Sequence, residues 1–253
     1  MSNIYKAFEN KKAFIAFLTA GDPDFETSVE NFKAVAKAGA DLIEIGIPFS
    51  DPIAEGPVIQ EADIRALNAG MTTDKVFELL KEVRKDVDIP IVFMTYANPV
   101  YHYGAEEFFK KASEAGADGI IIPDCPFEER HEFCDVAEKY GMDFISMIAP
   151  TSEDRIKEIA AQAKGFIYVV SSLGVTGVRS EIKTDLASIM KMVKEATDTP
   201  AAVGFGISTP EQAKKVCEVA DGAIVGSAMV RIVAEYGKDA PEKLAEYVKS
   251  MKA

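Results

Sequence analysis

Two acids set the chemistry open to this sequence. Glu44 stands in residues 41–47, DLIEIGI, where Leu42, Glu44 and Gly46 share one face of a strand and Ile43, Ile45 and Ile47 share the other. None of the strand-like runs carries a Lys or Arg in its core that would partner an inward acid. Burial without a partner disfavours the ionised form and raises the pKa. A Glu poised near pH ~6 to 7 gives a proton to one substrate atom and takes one from another. Glu55 follows eleven residues on, in a loop stiffened by Pro48, Pro52 and Pro57, with Asp51 as a rival loop acid that position alone does not separate from it. The two carboxylates frame one pocket mouth.

Facing them is a candidate anion grip. Gly204-Phe205-Gly206-Ile207-Ser208-Thr209-Pro210-Glu211 combines glycines that admit a ligand to the backbone with the capping-box spacing of Ser208 and Glu211. Gly226-Ser227-Ala228 opens a second helix, whose first N–H groups and partial positive charge suit an anion. No Lys or Arg lies in residues 200–212 or 221–230, so the grip rests on backbone donors and the Ser227 hydroxyl. A phosphorylated metabolite is implied. Tyr168 alternates with Phe166 and Val170, and either turns its hydroxyl toward Glu44 or packs in the core. Phe17 and Phe205 are equally suited to core packing and to the pocket mouth. The loop LGVTGVRSEIK after Ser172 has Gly174 and Gly177 as hinges, Thr176 between them and Arg179 beyond, the makings of a lid that excludes water.

These residues sit at the ends of a regular alternation. Strands are expected over 13–19, 41–47, 90–95, 119–122, 143–148, 166–171, 201–205 and 223–225. Helices are expected over 27–38, 106–115, 128–140, 153–163, 184–197 and 210–219, with two, 58–70 and 73–87, after the second strand. A helix over 2–10 is suited to closing a barrel floor, and the tail continues as helices over 229–236 and 241–251. Eight strand–helix units, with AGAD or VADG turns into strands two, four and eight, predict an α/β fold: a (β/α)8 TIM barrel with extra N-terminal, inserted and C-terminal helices. An open doubly wound sheet would need a G-x-G-x-x-G turn after strand one, where GDPDFE stands.

The composition narrows the partners. A chain of 253 residues, 48% hydrophobic and without a linker-like run, reads as one domain over 1–253. Net charge of −13, from 41 acids against 28 bases, argues against nucleic acid and anionic lipid. Cys125, Cys134 and Cys217 lack paired spacing, and His102, read as a loop residue, and His131 are isolated, so neither a disulfide framework nor a metal site is expected. With no signal-like start and no membrane-spanning run, the expected location is cytoplasmic.

IEIGIPFSDPIAEGPVIQ, SSLGVTGVR, VGFGIS and VGSAMV, in this order and spacing, resemble the tryptophan synthase α subunits over essentially the whole chain. The resemblance implies a lyase that cleaves indole-3-glycerol phosphate to indole and glyceraldehyde 3-phosphate by a retro-aldol route, without metal or organic cofactor. It implies that Glu44 protonates indole C3 and takes the glycerol hydroxyl proton, with Tyr168 beside it. Phe17 and Phe205 then flank the indole, Gly177, Gly206, Gly226 and Ser227 hold the phosphate, and Thr176 is the lid residue that meets the catalytic loop. It further implies an α2β2 heterotetramer with a β subunit docked at the rim around Asp51-Pro52 and Asn98-Pro99-Val100. Two departures stand out. Glu55 occupies the place of the family's usual Asp, and Ser172 occupies a position that is basic in many relatives. The first leaves open a catalytically impaired α-like subunit that mainly activates its partner, and a stand-alone lyase is the other alternative.

Overall fold

Apolar, β-branched runs too short to bury themselves alternate with amphipathic helices, and the two close into a parallel barrel. The computed structural model describes residues 3–171, 185–204 and 206–252. Its strands are β1 (Ala13–Thr19), β2 (Leu42–Gly46), β3 (Ile91–Met94), β4 (Gly119–Ile121), β5 (Asp143–Phe144), β6 (Ser146–Ile148), β7 (Ile167–Val170), β8 (Ala201–Gly204) and β9 (Gly222–Val225). They are ordered β5-β4-β3-β2-β1-β9-β8-β7-β6, all parallel. β5 and β6 are the two halves of the single strand expected over 143–148. They part at Ile145, whose N–H still donates to the Ile120 carbonyl at 2.8 Å. β5 pairs with β4 and β6 with β7, so one chain passage changes neighbours midway and brings the ring together. The barrel therefore has eight passages.

Around it lie α1 (Phe25–Ala38), α2 (Pro57–Asn68), α3 (Thr73–Arg84), α4 (Ala97–Tyr103), α5 (Ala105–Ala115), α6 (His131–Lys139), α7 (Glu153–Ala161), α8 (Leu186–Ala196), α9 (Pro210–Cys217), α10 (Ser227–Tyr236) and α11 (Ala240–Lys252). The pair after β2 is as expected. α4 is not: Asn98-Pro99 reads as a strand terminator, yet Pro is tolerated in a helix's first turn, and His102 lies in this helix rather than in a loop. The N-terminal helix shrinks to a 3-10 turn, Ile4–Ala7. Ile4 and Ala7 nonetheless join the barrel interior with Ile15, Leu42, Val92, Ile121, Phe166 and Ile224, and thereby close its floor.

The recurring Asp of the AGAD and VADG turns has a physical explanation at this end of the barrel. Asp41 accepts the Phe14 N–H at 2.9 Å, Asp118 that of Ile91 at 2.9 Å and Asp221 that of Ala201 at 3.0 Å. Each acid thus satisfies an N–H within the first two residues of the neighbouring strand. Cations accompany all three: Lys11 and Lys252 at Asp41, Arg84 at Asp118, Lys12 and Lys194 at Asp221. The repeated turns are structural, and they free the opposite end for chemistry.

Candidate active site

Glu44 is the third residue of β2 and points into the barrel, 1% exposed, opposite Phe17 in the β1–β2 register. Its Oε1 is buried with no hydrogen-bond partner among the described residues. Loss of hydration raises its pKa from 4.5 to about 8, so the carboxyl holds a proton at neutral pH. Tyr168, on β7, is inward and buried, and burial together with the charge of Glu44 holds its phenol well above the ordinary range. Of the two orientations open to Tyr168 from sequence, the inward one near Glu44 is found.

One mainly apolar pocket at the carboxyl ends of the strands joins the expected residues. Phe17, Glu44, Glu55, Met94, Tyr96, Tyr168, Gly206, Gly226 and Ser227 are among those that line it. The Phe17 ring is seated between two glycines. A Cβ on Gly46 would lie 2.7 Å from its Cζ, and one on Gly226 would lie 3.3 Å from its Cδ1. Ser227 is the first residue of α10 and Gly226 its N-cap, so a helix start with its unsatisfied N–H groups opens onto the pocket. No Lys or Arg lines it among the described residues. The capping box before α9 falls one residue later than expected, on Thr209 and Gln212 rather than Ser208 and Glu211, because Pro210 takes the first helical position. Phe205, Thr176 and Gly177, with the rest of the expected lid, lie outside the described residues.

Between the two loop acids, Glu55 lines the pocket while Asp51 is exposed and accepts a hydrogen bond from Ser50. Glu55 is half-buried, and burial raises its pKa against hydrogen bonds from Asp63 and Tyr96 that lower it. Its Oε2 is buried without a hydrogen-bond partner among the described residues. Asp63, on α2, is 5% exposed, and burial with the negative charge of Glu55 pushes its carboxyl well above the usual range. Sequence reading missed Asp63 and Tyr96. Asp63 sits on a helix whose other acid, Glu61, is exposed, and Tyr96 follows a strand as an ordinary aromatic. An acid on the apolar face of a helix was the available signal for Asp63. Among the described residues no group of three or more His, Cys, Asp or Glu is arranged to hold a metal ion, and no helix is long and apolar enough to cross a membrane.

Fold and site together define a (β/α)8-barrel protein with a buried acid and a helix N-terminus facing one another across a pocket at the strand ends. A family profile described as tryptophan synthase alpha chain matches residues 5–253. The tryptophan synthase alpha chain of Lacticaseibacillus casei is 49% identical over 252 residues, covering 100% of this chain and 95% of its own. The solved subunit alpha from Legionella pneumophila str. Paris superposes with a TM-score of 0.90 at 39% identity, over 100% of this chain and 97% of its own. A chain of the tryptophan synthase a2b2 complex from Pyrococcus furiosus gives 0.87 at 38% identity, over 96% and 98%. The chain belongs to the tryptophan synthase alpha chain family.

Proposed function

We propose that this chain is an indole-3-glycerol phosphate lyase of tryptophan biosynthesis, working as one cytoplasmic (β/α)8 domain. The observation that carries the reading is Glu44, a buried carboxyl with an unpartnered oxygen inside a mainly apolar pocket. Indole C3 must become tetrahedral before it can leave, and Glu44 supplies the proton. The positive charge that then spreads onto the ring nitrogen is met by Glu55. As the C–C bond breaks, the glycerol hydroxyl becomes the aldehyde of glyceraldehyde 3-phosphate and returns its proton to Glu44. The acid is regenerated, and the protons balance. Tyr168 stands beside Glu44, and Phe17 offers a ring face to the indole. Gly206, Gly226 and Ser227 hold the phosphate, with Gly177, Phe205 and Thr176 assigned from the family pattern. Because the Pyrococcus furiosus relative is part of an a2b2 complex, we assign this chain a β subunit as partner. The exposed Ile53 and Tyr101 flank the expected docking rim and support that assignment.

The test is release of indole from indole-3-glycerol phosphate by the purified chain, with and without a β subunit. Turnover that rises on adding the β subunit is the expected result; a chain inert under both conditions would overturn the reading.

A further inference from the structure

We propose that Asp63 is a positioning residue for the lyase reaction, holding the Glu55 carboxylate in place through a hydrogen bond between the two side chains. This rests on the reading of Glu55 as the carboxylate that meets the indole nitrogen. Asp63 faces in two directions from α2, toward the Phe49 backbone at the start of the loop that carries Glu55 and toward the Glu55 side chain itself. It therefore fixes both the loop and its acid. Tyr96 flanks the same acid, its hydroxyl accepting at 3.0 Å the N–H of Ala54, the residue just before Glu55. Oε2 of Glu55 has no hydrogen-bond partner among the described residues and is the oxygen available to a ligand.

Two acids in contact, one buried and one half-buried, cannot both be ionised without strong repulsion, so one proton stays between them. Asp63 is the better holder, being the more buried and facing the negative charges of Glu55 and Asp22. The charged and titratable groups around it are Glu55 from the β2 loop, Asp22 from the end of β1, Arg65 on its own helix and Tyr96 after β3. Arg65 is committed to Asp22 by two hydrogen bonds of 2.7 and 2.8 Å, so it does not neutralise Asp63. A protonated Asp63 donates to an ionised Glu55 and leaves the negative charge where the ring nitrogen needs it.

The experiment compares Asp63→Asn with Asp63→Ala. An amide still accepts from Phe49 and donates to Glu55, whereas a methyl does neither. Asp63→Ala is expected to lower kcat about ten- to a hundred-fold, the worth of one hydrogen bond to a charged group, with KM little changed. Asp63→Asn is expected to recover most of that loss. A second readout does not depend on activity. In a Glu44→Gln background, the infrared stretch of a protonated carboxyl should be present at neutral pH and vanish on adding Asp63→Asn. Equal activity of the Ala and Asn variants, or a protonated-carboxyl band that survives Asp63→Asn, would overturn the proposal. The reading beneath it fails separately: an unimpaired Glu55→Gln removes Glu55 from the chemistry. An impaired Glu55→Gln beside a fully active Asp63→Ala removes only Asp63.

Discussion

The ring of Tyr168 occupies the space that a side chain on Gly204 would fill. Tyr168 pairs with Ala202 in the β7–β8 register, and Gly204, two residues on, shares the same inward face. A Cβ there would overlap both the Tyr168 ring and its hydroxyl. The glycine thus sets where the phenol stands beside Glu44.

Gly204→Ala is therefore expected to displace Tyr168. Overpacking a filled core costs roughly 1–3 kcal/mol, to be read from urea unfolding. A misplacement near ~1 Å at a reacting centre costs on the order of 100-fold in rate. Steady-state indole release should show most of this loss in kcat. Full kcat in a variant that unfolds more easily would separate Tyr168 from the chemistry.

Glu44→Gln is expected to abolish indole release and to stabilise the fold. The sign follows from proton binding. With a folded pKa of about 8 against an ordinary 4.5, the native state holds a proton that the unfolded chain has lost, so stability falls as pH rises from 4.5 through 8. The penalty is complete above that window and amounts to on the order of 5 kcal/mol for a fully buried group. The melting temperatures of Glu44→Gln and the parent should converge near pH 4 and separate toward pH 8, with the variant higher. Curves that run parallel across this range would mean that Glu44 finds a partner in the folded chain.

The apolar alternation and the Asp-bearing turns made the barrel legible in sequence, because both arise from local patterns: a period of two in strands, and a carboxylate that meets an N–H at the start of the neighbouring strand. Glu44 was legible for the same reason, as an acid at an inward position without a cation in any strand. Asp63 and Tyr96 were not, since their importance lies in a contact between α2, the β2 loop and the β3 loop that no single stretch encodes. The split of the fifth strand at Ile145 was likewise hidden, because the residue is apolar and inward and only the closing of the ring makes it change neighbours.

Glu55→Asp tests whether the longer side chain is a defect. In the folded chain Glu55 lies against Asp63 and Tyr96, lines the pocket and keeps one buried oxygen without a hydrogen-bond partner among the described residues. Shortening it by one methylene withdraws the carboxylate from both partners, and kcat is expected to fall about ten- to a hundred-fold. A sharp rise in turnover would instead identify the natural Glu as an impairment and favour a chain that serves mainly to activate its partner.

Ser227→Ala separates phosphate binding from chemistry. Ser227 begins α10 beside Gly226, where the helix start already offers backbone N–H groups, so the hydroxyl adds one donor among several. Losing one hydrogen bond to a charged group costs about 1.5–3 kcal/mol, which the remaining donors reduce. KM should therefore rise about ten-fold at most while kcat holds, and inhibition by inorganic phosphate should weaken in proportion. A phosphate held in the ground and transition states alike gives this pattern. If kcat fell instead with KM unchanged, Ser227 would act on the reacting atoms, and the phosphate would have to sit elsewhere in the pocket.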